Sequence, residues 1–102
     1  MDKKKPLHEA EAGKVSRLNE IRLQYNGNAL VNQRSRFLLA LNEFPISTQE
    51  ARRYLDIMHP GGRVMELRRC DWNIVTIRVT ENSECGKPHS VARYVLKGRS
   101  DE

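Results

Sequence analysis

The side chains best suited to chemistry are three arginines in the middle of the chain, Arg63, Arg68 and Arg69, with Glu66 among them. A guanidinium can form two parallel hydrogen bonds to a phosphate or to the O6 and N7 atoms of guanine. Glu66 could accept a hydrogen bond from cytosine N4, but a carboxylate in such a cluster more often orients an arginine. The cluster predicts contact with a polyanion. The alternative is a solvated helix face, with Arg63 held by Glu66 or Asp56.

Catalytic chemistry has little support in the sequence. We find no nucleophile at usable spacing from a base, no paired carboxylates, and no GK[ST] ending after Gly61-Gly62 that would make a phosphate-binding loop. The three histidines are far apart and there is no CxxC spacing, which argues against a zinc site. We therefore expect neither an enzyme nor a bound cofactor or metal.

Size and composition indicate one small domain. The 102 residues are 38% hydrophobic and 30% charged, and the formal net charge is +5, which favours a polyanionic partner without proving one. No stretch approaches the roughly 20 apolar residues of a membrane helix, and no apolar signal core follows the N-terminal lysines. We expect a cytoplasmic protein that makes no membrane contact, with Cys70 and Cys85 as free thiols.

Three helices must position the arginine cluster. The first runs over Asn32 to Phe44, with Asn32 as N-cap and an apolar stripe, and Pro45 ends it. Ser47 and Glu50 predict a capping box that opens the second helix. The third begins at Pro60, whose fixed φ suits a first helical position. In this third helix, which we extend to Cys70, one face carries Gly61, Val64 and Leu67, and the opposite face carries Gly62, Arg63, Glu66 and Arg69.

The rest of the chain divides into a hairpin and two flanking regions. After Asn73 the apolar period drops to two, which predicts two antiparallel strands joined by a turn-rich connection over residues 81–89. Residues 1–14 are polar and predict a flexible tail, and residues 98–102 a C-terminal tail. Residues 15–30 predict a leader helix that stops at Asn26-Gly27-Asn28. The leader helix has an apolar side formed by Val15, Leu18, Ile21 and Tyr25, which would pack on the domain or on a partner.

Four motifs within residues 31–97 carry a resemblance to a known family: Asn32-Gln33-Arg34, Ser47-Thr48-Gln49-Glu50-Ala51, Arg63-Val64-Met65-Glu66-Leu67-Arg68-Arg69 and Val91-Ala92-Arg93-Tyr94-Val95-Leu96. In their order along the chain they resemble the small winged helix-turn-helix domains common in prophages and bacterial genomes. The resemblance implies an α+β domain whose third helix reads DNA base edges. Its hairpin, the wing, would touch the neighbouring backbone or minor groove.

Two features depart from the family pattern. Such domains carry glycine in the helix-turn-helix turn and after the recognition helix, where this chain has Asp56 and the segment Cys70-Asp71 with Asn73. Asp and Asn tolerate a left-handed backbone best among residues other than glycine, so we expect the fold to survive. Gly61 and Gly62 weaken the third helix but let another backbone come close.

Further DNA contacts are expected around the arginine cluster. His59 would meet a phosphate at the start of the third helix, or simply occupy the extended position before Pro60. The second helix would cross the DNA backbone, the first helix would clamp a phosphate through its start, and the wing would add a weak contribution, since acids share its loop. The candidate contact residues beyond the arginine cluster are Gly62, Thr48, Gln49, Arg52, Arg53, Gln33, Arg34, Lys87, His89 and Arg93.

The sequence supports two hypotheses of function. The first is a sequence-specific regulator of transcription from a phage or other mobile element, which binds double-stranded DNA, with the leader helix as the candidate for homodimer formation. The second is a protein-interaction module that uses the same scaffold to block or adapt a host protein. The first depends on a third helix that stands clear of the domain with its guanidinium groups turned to solvent.

Overall fold

The computed structural model describes residues 7–82 and 85–100, with side chains from Ala12 onward. Within these ranges the fold has four helices and three strands, in the order α1 (Leu7–Gln24), α2 (Leu30–Glu43), β1 (Ile46–Ser47), α3 (Thr48–Tyr54), α4 (Pro60–Arg69), β2 (Trp72–Asn82) and β3 (Pro88–Arg99). Helices followed by a long antiparallel hairpin confirm the predicted α+β class. Cys70 and Cys85 are both exposed and no disulfide joins them.

Helix α1 is longer than predicted and belongs to the domain core. It begins at Leu7, so the prediction of a tail is wrong for residues 7–14, while residues 1–6 lie outside the described ranges. This first part of α1 is rich in Ala and Glu, which favour a helix without any apolar pattern. Leu18 and Ile21 are fully buried, which confirms the apolar side of this helix and shows that it packs on the domain itself. The face suggested for dimerisation is therefore occupied within the chain.

Helix α2 forms the centre of the core. Phe37 and Leu41 are buried as predicted, and Phe37 meets the Tyr94 ring edge-on at 6.0 Å between centroids. The helix starts at Leu30 rather than at Asn32, and Ala29 takes the N-cap position with no side-chain bond. The predicted cap at Asn32 is wrong, because α2 already begins at Leu30. The predicted stop of the leader helix at Asn26-Gly27-Asn28 agrees with the structure, in which α1 ends at Gln24.

Arg36 is a buried cation that the sequence did not reveal. Its side chain is only 1% exposed. Its guanidinium donates to the carbonyl oxygens of Leu55 (2.5 Å) and Asp56 (2.8 Å), in the turn after α3. It also donates to the carbonyl oxygens of Tyr25 (2.9 Å) and Gly27 (2.8 Å), which follow α1. Burial lowers the pKa of the Arg36 guanidinium from its ordinary value, and the nearby Asp56 carboxylate opposes that change. One side chain thus ties the end of α1 to the turn between α3 and α4.

Helices α3 and α4 are joined as the sequence predicts. The capping box is present, since Glu50 N donates to Ser47 Oγ at 3.1 Å and Ser47 N donates to Glu50 Oε1 at 2.9 Å. Asp56 has φ 53° in the turn between the helices, and Asp71 has φ 70° after α4. These are two of the positions where the family resemblance requires a left-handed residue, so the expectation that aspartate replaces glycine there is confirmed.

The sheet has one strand more than predicted. β2 and β3 form the antiparallel hairpin, and β1 pairs with β3 through Ile46 opposite Tyr94, which gives the order β1-β3-β2. A strand of two residues has no periodicity from which it could be recognised. β3 extends to Arg99, where its guanidinium lies 4.8 Å from the centre of the Trp72 ring. Gly98 and Arg99 therefore belong to the strand rather than to the predicted C-terminal tail.

Candidate nucleic-acid interface

Helix α4 buries one side and exposes the other. Pro60, Val64 and Leu67 are buried in the core, on the side of α4 that packs against α2 and β2. Met65 is 53% exposed, and Arg69 is exposed on the same side of the helix, with Gly62 half-buried one turn earlier. Met65 is thus part of the exposed face of α4. We call Gly62, Met65 and Arg69 the outer face of α4.

Arg63 is held inside the domain rather than on the outer face. Its side chain is 12% exposed, and Nε and Nη2 lie 2.8 Å and 2.9 Å from the two oxygens of Glu66. Its Nη1 donates to Gln33 Oε1 at 3.3 Å, and Arg34 Nη1 donates to Glu66 Oε1 at 3.0 Å. The expectation that Arg63 points to solvent is wrong, and the alternative partner Glu66 is the one observed.

Glu66 therefore orients arginine side chains, which is the role expected for a carboxylate among arginines. The hydrogen bond from Arg34, followed by the hydrogen bond from Arg63, holds the pKa of the Glu66 carboxyl below its usual range, although partial desolvation opposes the shift. Arg34 on α2 and Arg63 on α4 share this single carboxylate. The group of four, Gln33, Arg34, Arg63 and Glu66, has an excess positive charge and lies beside the outer face of α4. We call it the α2–α4 arginine cluster.

Arg68 and Arg69 differ in what they contact. Arg68 donates through Nε and Nη2 to the Ile74 carbonyl oxygen, at 2.9 Å and 2.7 Å, and through Nη2 to Thr76 Oγ1 at 3.0 Å. It anchors β2 to the end of α4, although the residue itself is exposed. Arg69 is exposed, and its guanidinium makes no hydrogen bond or ion pair with residues 7–82 or 85–100. The solvent-facing guanidinium expected on α4 is thus found at Arg69.

The start of α4 presents backbone amides. His59 is exposed at the N-cap and its side chain makes no capping hydrogen bond. A Cβ atom built on Gly61 would come no closer than 3.8 Å to Tyr94 Oη, and one on Gly62 no closer than 3.9 Å to His59 Cβ, which are ordinary van der Waals distances. Packing within the fold therefore does not require either glycine. Their effect is to leave two adjacent positions in the first turn of α4 without side chains.

The predicted contacts on α3 separate into two groups. Arg52 is exposed and its Nε donates to the Met58 carbonyl oxygen at 3.1 Å, so it lies beside the segment that leads into α4. Thr48 is half-buried and its Oγ1 lies 3.4 Å from the Ala92 carbonyl oxygen of β3. Gln49 and Arg53 instead line a cleft that α3 forms with α1 and the hairpin.

The wing residues are also divided. Lys87 and His89 are exposed near the tip of the hairpin, as predicted. Arg93 is half-buried, lies 4.0 Å from Glu81 through Nη2, and lines the same cleft as Gln49 and Arg53. The structure therefore brings Gln33 and Arg34 to the recognition helix, a grouping that residue spacing did not reveal, and draws Gln49, Arg53 and Arg93 to a different surface.

The fold and these side-chain positions agree with the comparison with known families. A sequence model of the winged helix-turn-helix domain matches residues 32–99, which are 68 of the 102 residues. The chain belongs to the winged helix-turn-helix domain family, and the resemblance found in the sequence is confirmed. No curated protein and no solved structure gives a significant match to the chain. None of the helices in the described ranges has the length and apolar character that crossing a bilayer requires.

Proposed function

We propose that this protein binds double-stranded DNA through the outer face and first turn of α4, and that it regulates transcription in the cytoplasm for a phage or other mobile element. The observation that carries the proposal is the first turn of α4. It has two adjacent glycines that the packing does not require, uncapped backbone amides and an exposed His59. Backbone amides at a helix N-terminus favour the binding of phosphate, and the absence of side chains at Gly61 and Gly62 allows a DNA backbone to come close.

Charge around this turn supports the same surface. Arg69 has its donors free at the other end of the outer face, where it can reach a base edge. The α2–α4 arginine cluster contributes two guanidinium groups and one carboxylate. Glu66 is paired with both arginines in the free protein, so their side chains are already in position before DNA binds. Arg34 is the member better placed for a phosphate, because its side chain is 32% exposed. These groups position the helix, while Arg69 and Met65 are left to read sequence.

One observation favours a second candidate function, an interaction with a protein. Met65 is the largest side chain exposed on the outer face apart from Arg69, and Met58, just before α4, is 64% exposed. Exposed methionines adapt to apolar partners. If the chain binds a host protein, the contact would use the same face of α4, and its affinity would depend little on charged side chains or on salt.

Salt dependence separates the two functions. Anisotropy of a labelled random duplex is measured with the full chain at increasing salt concentration. DNA binding through phosphates predicts an affinity that falls by at least about ten-fold between 50 and 200 mM salt, because bound counterions are released. If no duplex is bound even at low salt, the DNA function is wrong and the protein-interaction function stands.

Arg69→Ala tests the outer face in the same assay. We expect duplex affinity to fall by about ten-fold or more with the unfolding free energy unchanged within about 0.5 kcal/mol. Arg17→Ala is the matched control, since it removes the same charge from the pair with Glu43, at the opposite end of α2 from Arg34. Equal losses in the two variants would show a response to net charge alone and would contradict a contact at Arg69.

A further inference from the structure

A cleft of about 480 Å³ lies between α1, α3 and the outer part of the hairpin. Its volume is in the range of pockets that hold small molecules. Its lining contains three of the residues that the sequence suggested for DNA contact, Gln49, Arg53 and Arg93, and no residue of the outer face of α4. These side chains converge on a site that the proposed DNA surface does not use.

The cations of the cleft are not all neutralised. Lys14 is paired with Glu50 at 3.0 Å and also donates to the Pro45 carbonyl oxygen. Arg93 is paired more loosely: its side chain is 36% exposed and Nη2 is 4.0 Å from Glu81, beyond hydrogen-bond distance. Its Nε is buried without a hydrogen-bond partner in the described residues, as is Nε of Arg63 outside the cleft. A buried donor without a partner is rare in folded proteins. The cleft therefore has positive charge in excess and a guanidinium that its own neighbours do not satisfy.

Arg53 adds a second available guanidinium. It is exposed, lies 5.8 Å from the centre of the Tyr54 ring, and has no carboxylate partner in the described part of the chain. Val15 and Tyr54, both half-buried, supply apolar surface in the lining of the cleft, and the fully buried Leu18 also borders it. A ligand that fits both features has one negative group and a compact apolar body.

We propose that this cleft binds a small organic carboxylate, with the carboxylate on Arg53 and Arg93 and the apolar body against Val15 and Tyr54. Arginine suits this role because its donors match the two carboxylate oxygens. Binding would join α3 to the hairpin through the ligand. The proposal concerns the free protein and does not depend on DNA binding.

Three probes of related chemistry test the proposal by heteronuclear NMR at constant ionic strength. Benzoate carries the charge and an apolar ring, benzyl alcohol carries the ring alone, and acetate carries the charge alone. We expect benzoate to bind with a dissociation constant in the millimolar range, shifting the side-chain amides of Gln49 and Asn82 and the methyl groups of Val15. Benzyl alcohol and acetate should each bind at least about five-fold more weakly.

Substitutions locate the charge. Arg93→Gln should weaken benzoate binding by at least about five-fold, and Arg53→Gln, at an exposed position, gives the same test without risk to the fold. Arg78→Gln is the matched control, because Arg78 pairs with Ala92 and so lies on the opposite face of the hairpin from Arg93. The proposal is overturned if benzoate gives no saturable shift up to about 50 mM, if the shifts lie on α4 instead, or if Arg78→Gln weakens binding as much as the two cleft variants.

Discussion

At the scale of single residues, Arg36 shows how a buried charged side chain can hold a winged helix-turn-helix fold together. Its four hydrogen bonds end on backbone carbonyls from two separate segments. A sign of this role is present in the sequence. Arg36 stands four residues before Ala40 and one before Phe37, on the apolar stripe of its helix, where a polar residue requires an internal partner.

Replacement of Arg36 should be strongly destabilising. We expect Arg36→Met to lower the free energy of unfolding by about 3 kcal/mol, because it leaves buried carbonyls without donors. Urea denaturation followed by circular dichroism measures the change. Arg22→Met removes a cation from α1 that repels Arg36 but makes none of these four hydrogen bonds, and it should cost under about 1 kcal/mol. A loss at Arg36 no larger than at Arg22 would contradict the account.

Glu66 gives a prediction of pH dependence. Because the folded pKa lies below the usual glutamate range, the carboxylate contributes stability above that range, and the contribution is lost as the pH falls through the folded pKa. NMR titration of the Glu66 carboxyl carbon should give a midpoint below the usual value of about 4.3. Arg34→Met should raise that midpoint, since Arg34 is the main cause of the shift. A midpoint at or above the usual value in the unsubstituted protein would contradict the cluster.

Side-chain partners were harder to predict than side-chain types. The arginines of α4 are close in sequence, and helical spacing placed Arg63 with Arg69. The observed division depends on α2, which brings Arg34 to Glu66 across 32 positions and Gln33 to Arg63 across 30 positions. Local spacing could suggest only the pair between Arg63 and Glu66, which lie three residues apart on the same helix.

At the scale of elements, periodicity was sufficient for most of the fold. α2, α3, α4 and the hairpin have apolar patterns, a capping box or a proline that mark them locally. The first part of α1 and the strand β1 have no such marks, because one is polar and the other has two residues. Each is held by tertiary contacts, such as the bonds of Lys14 to Pro45 and Glu50.

The glycines of α4 give a prediction at this scale. Gly62→Leu should reduce duplex affinity by at least about ten-fold, because its side chain would stand where the DNA backbone approaches. The folded state should be retained or gain up to about 1 kcal/mol, since leucine favours a helix more than glycine. Circular dichroism and duplex anisotropy check the two effects.

Gly13→Leu is the control for that substitution. Gly13 lies within α1, and no atom comes within 4 Å of a Cβ placed there. It should gain helix stability in the same way and leave duplex affinity unchanged. If Gly62→Leu also bound duplex normally, the first turn of α4 would not be a site of close DNA approach.

At the scale of the whole molecule, basic side chains are present on two separate candidate surfaces. One comprises the outer face of α4 with the α2–α4 arginine cluster, and the other is the cleft with Arg53 and Arg93. The net charge of +5 indicated a polyanionic partner but not this division, which arises only when α1, α3 and the hairpin pack together. The leader helix is committed to the core, so a homodimer would need another surface.

The most direct test of the DNA function is chemical-shift mapping of the full chain with an unlabelled duplex at low salt. The account predicts that the largest backbone shifts fall at Gly61, Gly62, Met65 and Arg69, with smaller shifts at Arg34, and that Val15 and Arg93 in the cleft change little. Large shifts confined to the cleft, or no shifts at duplex concentrations that saturate the anisotropy signal, would contradict DNA recognition by α4.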